Sequence, residues 1–304
     1  MLRASIDPAM TSGTWGGQLA AGNRVAAFRE SLRPRSAAAE LIARGLSVDL
    51  SGVGSATLPG IGTAYPEPSW IAEGAPINAQ KPSLTAATLT PKKLATISGL
   101  TGELADYSAE DAEAIITDMM EDAVARALDA SVFSAAAASA TRPAGILNGV
   151  TAVTASTAGG LGALVADAGA LAEPIHAAGG GSSIVFFAAP AQAVAIKLLA
   201  GSTFDFPVIT AASLAAGTVV AVEARAFASG FSDVPRVDIA KEAVVHWDDS
   251  APAAIGTAGS PNTVAAPVRS GFQTYTYAIR CVLRAAWAMR GTGFVQFVEG
   301  ADYA

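Results

Sequence analysis

The feature that most constrains this chain is a pair of extended arms with nothing of their own to fold on. Residues 46–93 are rich in Gly, Pro, Ser and Thr and alternate in short runs: LSVDLSG, then ATLPGIG, then SLTAATLTPKKLA. Alternating runs broken by Gly and Pro predict a long β-hairpin. So few apolar side chains cannot give it a core, because an isolated two-stranded ribbon is marginal in water. The ribbon must lie on something, and a second copy of the chain is the natural support. Leu58, Ile61, Tyr65, Trp70 and Ile71 are the side chains such a contact would bury. Glu73, Lys81, Lys92 and Lys93 are the charges beside them.

Composition points the same way. Of 304 residues, 51% are apolar and only 15% charged, against about 25% charged in an ordinary soluble domain. A sparsely charged surface suits burial against neighbours. The length allows one large domain or two to three small ones. The net charge of −7 argues against a dedicated nucleic-acid reader, which carries a basic face. Cys281 is the single cysteine, so no disulfide framework forms within the chain. MLRASIDPAM has no apolar core of a signal peptide, and no run approaches the roughly 18 uninterrupted apolar residues of a membrane span. The reading is a soluble chain, intracellular when made, with no membrane partner.

The clearest helix starts at Ser108-Ala-Glu-Asp111, a capping-box-like signal. Ala112, Ile116, Met119, Ala123, Ala127 and Val132 follow at helical spacing. The pattern predicts a helix over 108–139, about 45 Å long at 1.5 Å per residue. Its exposed face reads as acidic: Glu110, Asp111, Glu113, Asp118, Glu121, Asp122 and Asp129 against Arg126 alone. Upstream, Ser36 caps a short helix with Glu40 in its first turns and Gly45 at its end. LATISGLTGEL (94–104) reads as a strand. Downstream, Leu161–Ala178 reads as a helix closed by Gly179-Gly180-Gly181, Ser183–Ala188 as a buried strand, and Pro190–Ala200 as a helix with proline at its start. Thr218–Ala224 and Val234–His246 read as strands and 249–268 as a loop. Tyr275, Tyr277, Ile279, Cys281 and Leu283 alternate with Arg280 and Arg284 on the opposite face, and GFVQFVEG makes a final strand.

Chemistry-bearing constellations are thin. His176, His246 and Cys281 share no ligand spacing. Cys281 lies inside an apolar alternation and reads as an inert core thiol. GGLG (159–162) and GGG (179–181) lack the lysine and hydroxyl of a P-loop and the dinucleotide fingerprint. Asp248-Asp249 reads as a turn. No nucleophile–base pair, metal set or cofactor site emerges, which leaves no residue-level support for an enzyme.

The order of several short phrases resembles the major capsid proteins of tailed bacteriophages, of the Hong Kong 97-type fold. These are Trp70-Ile-Ala-Glu73-Gly-Ala-Pro, Pro82-Ser-Leu-Thr, Leu89-Thr-Pro-Lys92-Lys93-Leu-Ala, Ser98 with Glu103-Leu, and the long acidic helix. Arg142-Pro-Ala-Gly145-Ile-Leu, Phe206-Pro207-Val208, and Tyr277-Ala-Ile-Arg280 with Arg284 complete the series. The resemblance spans roughly residues 65–300 and implies an α+β fold in four parts. Residues 1–45 would be an N-terminal arm and 46–93 the extended loop. Residues 94–145 with 270–304 would be a peripheral domain carrying the spine helix, and 146–269 an axial domain. The implied function is a non-enzymatic shell subunit without cofactors, forming pentamers and hexamers around double-stranded DNA of a phage or gene-transfer-agent-like particle. Its partners would be copies of itself, a portal, scaffolding or decoration proteins, and packaged DNA bound non-specifically. Its place would be the virion capsid, assembled in the bacterial host cytoplasm.

Within that frame, Lys81, Lys92 and Lys93 either pair with a neighbour's acidic spine (Glu110, Glu113, Asp118, Glu121, Asp122) or stay solvated. Arg29, Arg33 and Arg35, in the basic cluster from Arg24 to Arg44, either touch DNA or a neighbouring acidic helix, or form a solvated segment. Two departures from the family stand out. Only residues 1–45 precede the hairpin, which implies either a mature product or scaffolding supplied separately. Some members also crosslink subunits through a loop lysine and a late-strand asparagine beside a glutamate. Lys81 suits the lysine, but Tyr275 and Val282 stand at the other two positions, so no covalent crosslink is expected. The alternative of another class is an encapsulin-like shell around protein cargo.

Overall fold

The computed structural model describes residues 36–60, 68–79, 86–102, 109–201, 204–231, 236–240, 242–246, 260 and 268–303, with backbone alone at 100, 109–119, 237, 246, 268 and 269. Helix α1 (Ala37–Arg44) leads into strand β1 (Leu46–Asp49). Strands β2 (Ala56–Pro59) and β3 (Ala86–Leu89) follow, then the long β4 (Lys92–Thr101) and the spine helix α2 (Ala109–Val132). Next come β5 (Val153–Thr154), α3 (Gly160–Ala177), β6 (Ile184–Ala188), α4 (Pro190–Ala200), β7 (Val208–Thr210) and β8 (Val219–Glu223). The chain closes with β9 (Phe227–Phe231), β10 (Arg236–Ala240), β11 (Val244–His246), β12 (Val268–Ser270), β13 (Thr276–Met289) and β14 (Val295–Glu299).

Two sheets organise these elements. The first is built on β13, whose residues 276–285 pair antiparallel with β4 along one edge. The other edge is shared, with β10 opposite 278–282 and β9 opposite 285–289. The alternation expected along this strand is present: Ile279, Cys281, Leu283, Ala285 and Trp287 are buried while Arg280 and Arg284 are exposed. The second sheet runs β5-β14-β8-β6-β7. Its central strands β6 and β8 are buried at every residue, because both faces are covered. Ile184, Phe186, Val219 and Ala221 meet α3 and α4 on one side. Val185, Phe187, Val220 and Val222 enter the main core on the other, which also takes Ile279 and Leu283 of the first sheet, Met120, Val124 and Leu128 of α2, and Leu41 of α1. One core therefore spans both sheets.

Local signals place several elements as the sequence predicts. The Ser36 side chain accepts the Ala39 N–H at 3.1 Å and caps α1, whose Arg44 pairs with Glu40 at 3.0 Å one turn back. Pro190 opens α4, where its missing N–H costs nothing.

Other expectations are corrected. The spine helix has 24 residues, about 36 Å at 1.5 Å per residue, and stops at Val132 rather than running to 139. The alanine-rich segment after it has strong helix formers, yet the returning chain claims its backbone. Ile146 N–H donates to the Val132 carbonyl at 2.8 Å, Gly145 N–H to Ala136 at 3.0 Å and Ser139 N–H to Arg142 at 2.9 Å. The approach is so close that a Cβ on Gly145 would lie 1.8 Å from the Ser134 carbonyl oxygen. Residues 46–49 are no hairpin arm either: β1 pairs parallel with β9. The ladder of the loop base is β2 with β3, from Ala56–Leu89 to Pro59–Ala86. Tyr275 lies in the turn before β13, at a φ of 48°, and the described residues of the strand expected over 234–246 form two, β10 and β11.

Candidate assembly surfaces

The base of the extended loop is anchored within its own chain. Leu58 packs against Leu50, Leu89, Ala228 and Ala286, so this side chain is half-buried at home. The Arg290 guanidinium donates to the Pro59 carbonyl at 3.0 Å. The Lys92 ammonium donates to the Ala140 carbonyl at 3.0 Å, whereas Lys93 is exposed.

Beyond the base, the described part of the loop has no such support. Every residue of 68–79 is exposed. Trp70 has a relative exposure of 106% and Ile77 of 83%, with Ile71 at 38%. Glu73 lies among them, also exposed. Ile77 was not among the residues expected from sequence; its signal was a third large apolar side chain in the same Gly- and Pro-containing segment as Trp70 and Ile71. Ile61, Tyr65 and Lys81 lie outside the described residues, as do Arg29, Arg33 and Arg35.

The acidic face of α2 is smaller than its sequence suggests. Asp129 is turned inward: it accepts Ser36 Oγ at 2.5 Å, Ala38 N–H at 2.8 Å and Ala37 N–H at 3.1 Å. A carboxylate at the helix start satisfies donors that α1 leaves open. Burial nevertheless dominates and pushes the Asp129 carboxyl above its ordinary pKa, against the lowering effect of those donors. Glu121 and Asp122 are half-buried, and Glu121 lies close enough to Cys281 to help burial raise the thiol's pKa. Glu110, Glu113 and Asp118 belong to the first turns of α2, where only the backbone is described.

The outer face of the first sheet carries the opposite charge. Lys93 stands directly across from Arg284, and Ile97 across from Arg280. On the other edge Asp238 stands across from Arg280, and Arg236 across from Val282. Asp238 is shared: Arg280 reaches one carboxylate oxygen at 2.6 Å and Arg236 the other at 2.7 Å. These hydrogen bonds, Arg280 first, hold the Asp238 carboxyl below its usual pKa. The alternation of Arg280 and Arg284 was visible in sequence; their meeting with Lys93 and Arg236 was not, because it depends on strand register.

Among the described residues, no three His, Cys, Asp or Glu side chains gather as a metal site. No described helix is long and apolar enough to cross a membrane. His176 is exposed and Cys281 is a buried free thiol.

Comparison with known proteins gives these surfaces a context. The sequence model of the Phage capsid family matches residues 16–218. No curated protein matches the sequence at a significant level. Among solved structures, the fold is similar to a chain of Mycobacterium phage Adephagia, with a TM-score of 0.64, 17% identity, and 97% of this chain and 98% of that one covered. A chain of Microbacterium phage Oxtober96 matches with a TM-score of 0.63, 16% identity, and 88% and 91% covered. The capsid of an empty GTA particle matches with a TM-score of 0.56, 16% identity, and 90% of each chain covered.

Proposed function

We infer the function from one premise: the chain belongs to the phage capsid family. It is a major capsid protein of the Hong Kong 97-like α+β fold, a shell subunit whose family and fold are structural rather than enzymatic. Its place is the virion capsid. The encapsulin-like reading is not favoured, since the family and the similar folds are those of phage and GTA capsids.

Beyond this, the subunit forms rings of five and six, which need head-to-tail contacts between unlike surfaces. The shell encloses double-stranded DNA without sequence preference, carries a portal, takes scaffolding or decoration proteins, and assembles in the bacterial host cytoplasm. Residues 1–45 serve as the N-terminal arm, and the extended loop of the 46–93 segment begins beyond β1, with β2 and β3 as its base. Residues 94–145 with 270–304 form the peripheral domain, and 146–269 the axial domain.

One observation supports the mode of association: residues 68–79 expose Trp70, Ile71 and Ile77 without support from their own chain. A neighbouring copy under this loop buries them, each large apolar side chain contributing about 1.5–3 kcal/mol before ordering costs. Glu73, Lys81 and Lys93 then set register, since an exposed ion pair is worth only about 0–1 kcal/mol. The test is electron microscopy of the expressed chain beside Trp70→Ala. The parent forms closed shells containing nucleic acid; the variant keeps its subunit melting temperature but loses most particles. A normal particle yield from Trp70→Ala removes this mode of overlap.

A further inference from the structure

We infer that the cleft beside the open end of β13 takes an extended, acidic segment of a protein other than this chain, added as one more strand. The inference does not depend on the overlap of neighbouring loops.

The open end follows from register. Both β4 and β9 pair with Ala285, so they lie on opposite edges of β13. The β4 ladder stops at that residue, opposite Lys92, while β9 continues to Met289. Pro91 precedes Lys92 and has no N–H with which to continue the ladder. Among the described residues, no strand covers 286–289 on the β4 side. Strand residues turn their N–H and C=O groups to alternate edges, so two of these four residues present both groups there. Such an edge is a template for an added strand.

A cleft of about 470 Å³ lies on that edge. Its floor is Ala286 to Met289, and its walls include Thr88 and Thr90 of the loop base and Arg142 of the segment after the spine helix. A smaller cavity shares Lys92, Arg142 and Trp287 with it and adds Lys93. No Asp or Glu lines either one. Lys92 is tied to the Ala140 carbonyl at 3.0 Å. Among the described residues, no hydrogen bond or ion pair engages the Arg142 guanidinium. The cleft therefore offers a strand edge and an uncommitted cation together.

These features select the occupant. A phosphate accepts hydrogen bonds but donates none, so it leaves the carbonyls of β13 unpaired over an apolar floor. An extended peptide gives the edge donors and acceptors alike, and an Asp or Glu on it reaches Arg142. The described acids of this chain do not fit. Glu73 sits in a turn closed by the Ala75 N–H on the Ala72 carbonyl at 3.0 Å, and Pro76 beside it lacks a donor. The tail around Asp302 is committed to its own core through Ala301 and Tyr303. The acid comes from another protein. Bound there, its segment touches Thr88 and Thr90 and braces the loop base against residues 138–148.

The test uses the full chain and a fluorescein-labelled hexapeptide of alternating valine and glutamate, read by fluorescence anisotropy. The peptide binds saturably to unassembled subunits and to particles. Arg142→Gln weakens binding by about tenfold or more without moving the melting temperature. N-methylation of one set of alternate peptide amides, which removes donors and keeps the charge, weakens it by a similar factor, and methylation of the other set does not. If Arg142→Gln unfolds the subunit, the two methylated peptides carry the test on the unaltered chain. Absence of saturable binding up to about 1 mM peptide overturns the inference. So does binding that ignores Arg142→Gln in a folded subunit, or that ignores both methylations. Equal competition by an oligothymidylate of the same charge assigns the cleft to nucleic acid and overturns it too. Binding to subunits but not to particles assigns the cleft to a contact between copies, and the inference falls.

Discussion

The Asp129 carboxylate accepts the Ser36 hydroxyl at 2.5 Å and ties α1 to the spine helix across 93 residues of sequence. Ser36 in turn accepts the Ala39 N–H at 3.1 Å, so the carboxylate and the hydroxyl cap one helix together. The result is a docked element, with Leu41 and Ile42 in the main core, in a segment that sequence alone assigned to an N-terminal arm.

Asp129→Ala leaves the Ser36 hydroxyl and two buried amides without an acceptor and destabilises the subunit by about 2–3 kcal/mol, measured by denaturant unfolding. The pH dependence has a definite sign. Burial raises the folded-state pKa of Asp129 above its ordinary value, so the folded subunit holds this proton more tightly than the unfolded chain. Relative to Asp129→Asn, the parent is most stable below the ordinary carboxylate pKa and loses that advantage as pH rises through the raised folded value.

Gly102 and Tyr275 form a second coupled pair. Gly102 N–H donates to the Tyr275 carbonyl at 2.6 Å, and a Cβ on Gly102 would meet the Tyr275 ring at 2.2 Å. Gly102→Ala costs about 1–3 kcal/mol through overpacking. Tyr275→Gly removes the clash and the strain of a non-glycine residue at positive φ. The double variant therefore melts above Gly102→Ala alone, and equal melting temperatures would contradict this coupling.

Cys281 is buried, and burial, aided by the nearby Glu121, raises its thiol pKa. Thiolate is the reactive form, and it is scarcer here than in free cysteine. A thiol reagent at neutral pH labels the native subunit far more slowly than the denatured one; equal rates would show that β13 opens readily.

Mature particles are expected to contain no covalent crosslinks between subunits. An isopeptide bond needs a carboxamide carbon and a desolvated base. Tyr275 supplies no carboxamide, and Val282 stands across from Ala95 and Arg236 with no base at that position. Particles dissolved in hot detergent run as single chains, and a ladder of multimers would disprove it.

Much of the fold between residues 184 and 289 was legible. Pro190 marks the first residue of α4, and the unbroken apolar run of β6 reports a strand covered on both faces. The alternation of β13 reports one buried face. These signals are local, so one sequence suffices. The end of α2 was not legible, because the carbonyls that would continue it are taken by residues 145 and 146 on the returning chain. Nor was the role of Leu58, which reads as a loop residue seeking a partner until Leu50, Ala228 and Ala286 are seen to supply one.

The sequence by itself determined the helix and strand periods, the unsupported loop and the family. Each of these depends on side-chain order along the chain or on phrases in a fixed succession. Only the tertiary structure decided which acids face solvent, which lysine is tied to its own chain, and where four cations meet on one sheet. Those outcomes depend on register and on contacts between residues far apart in sequence. Asp129 is the clearest case: an acid among acids on a helix, it becomes a buried cap because Ser36 is folded against it.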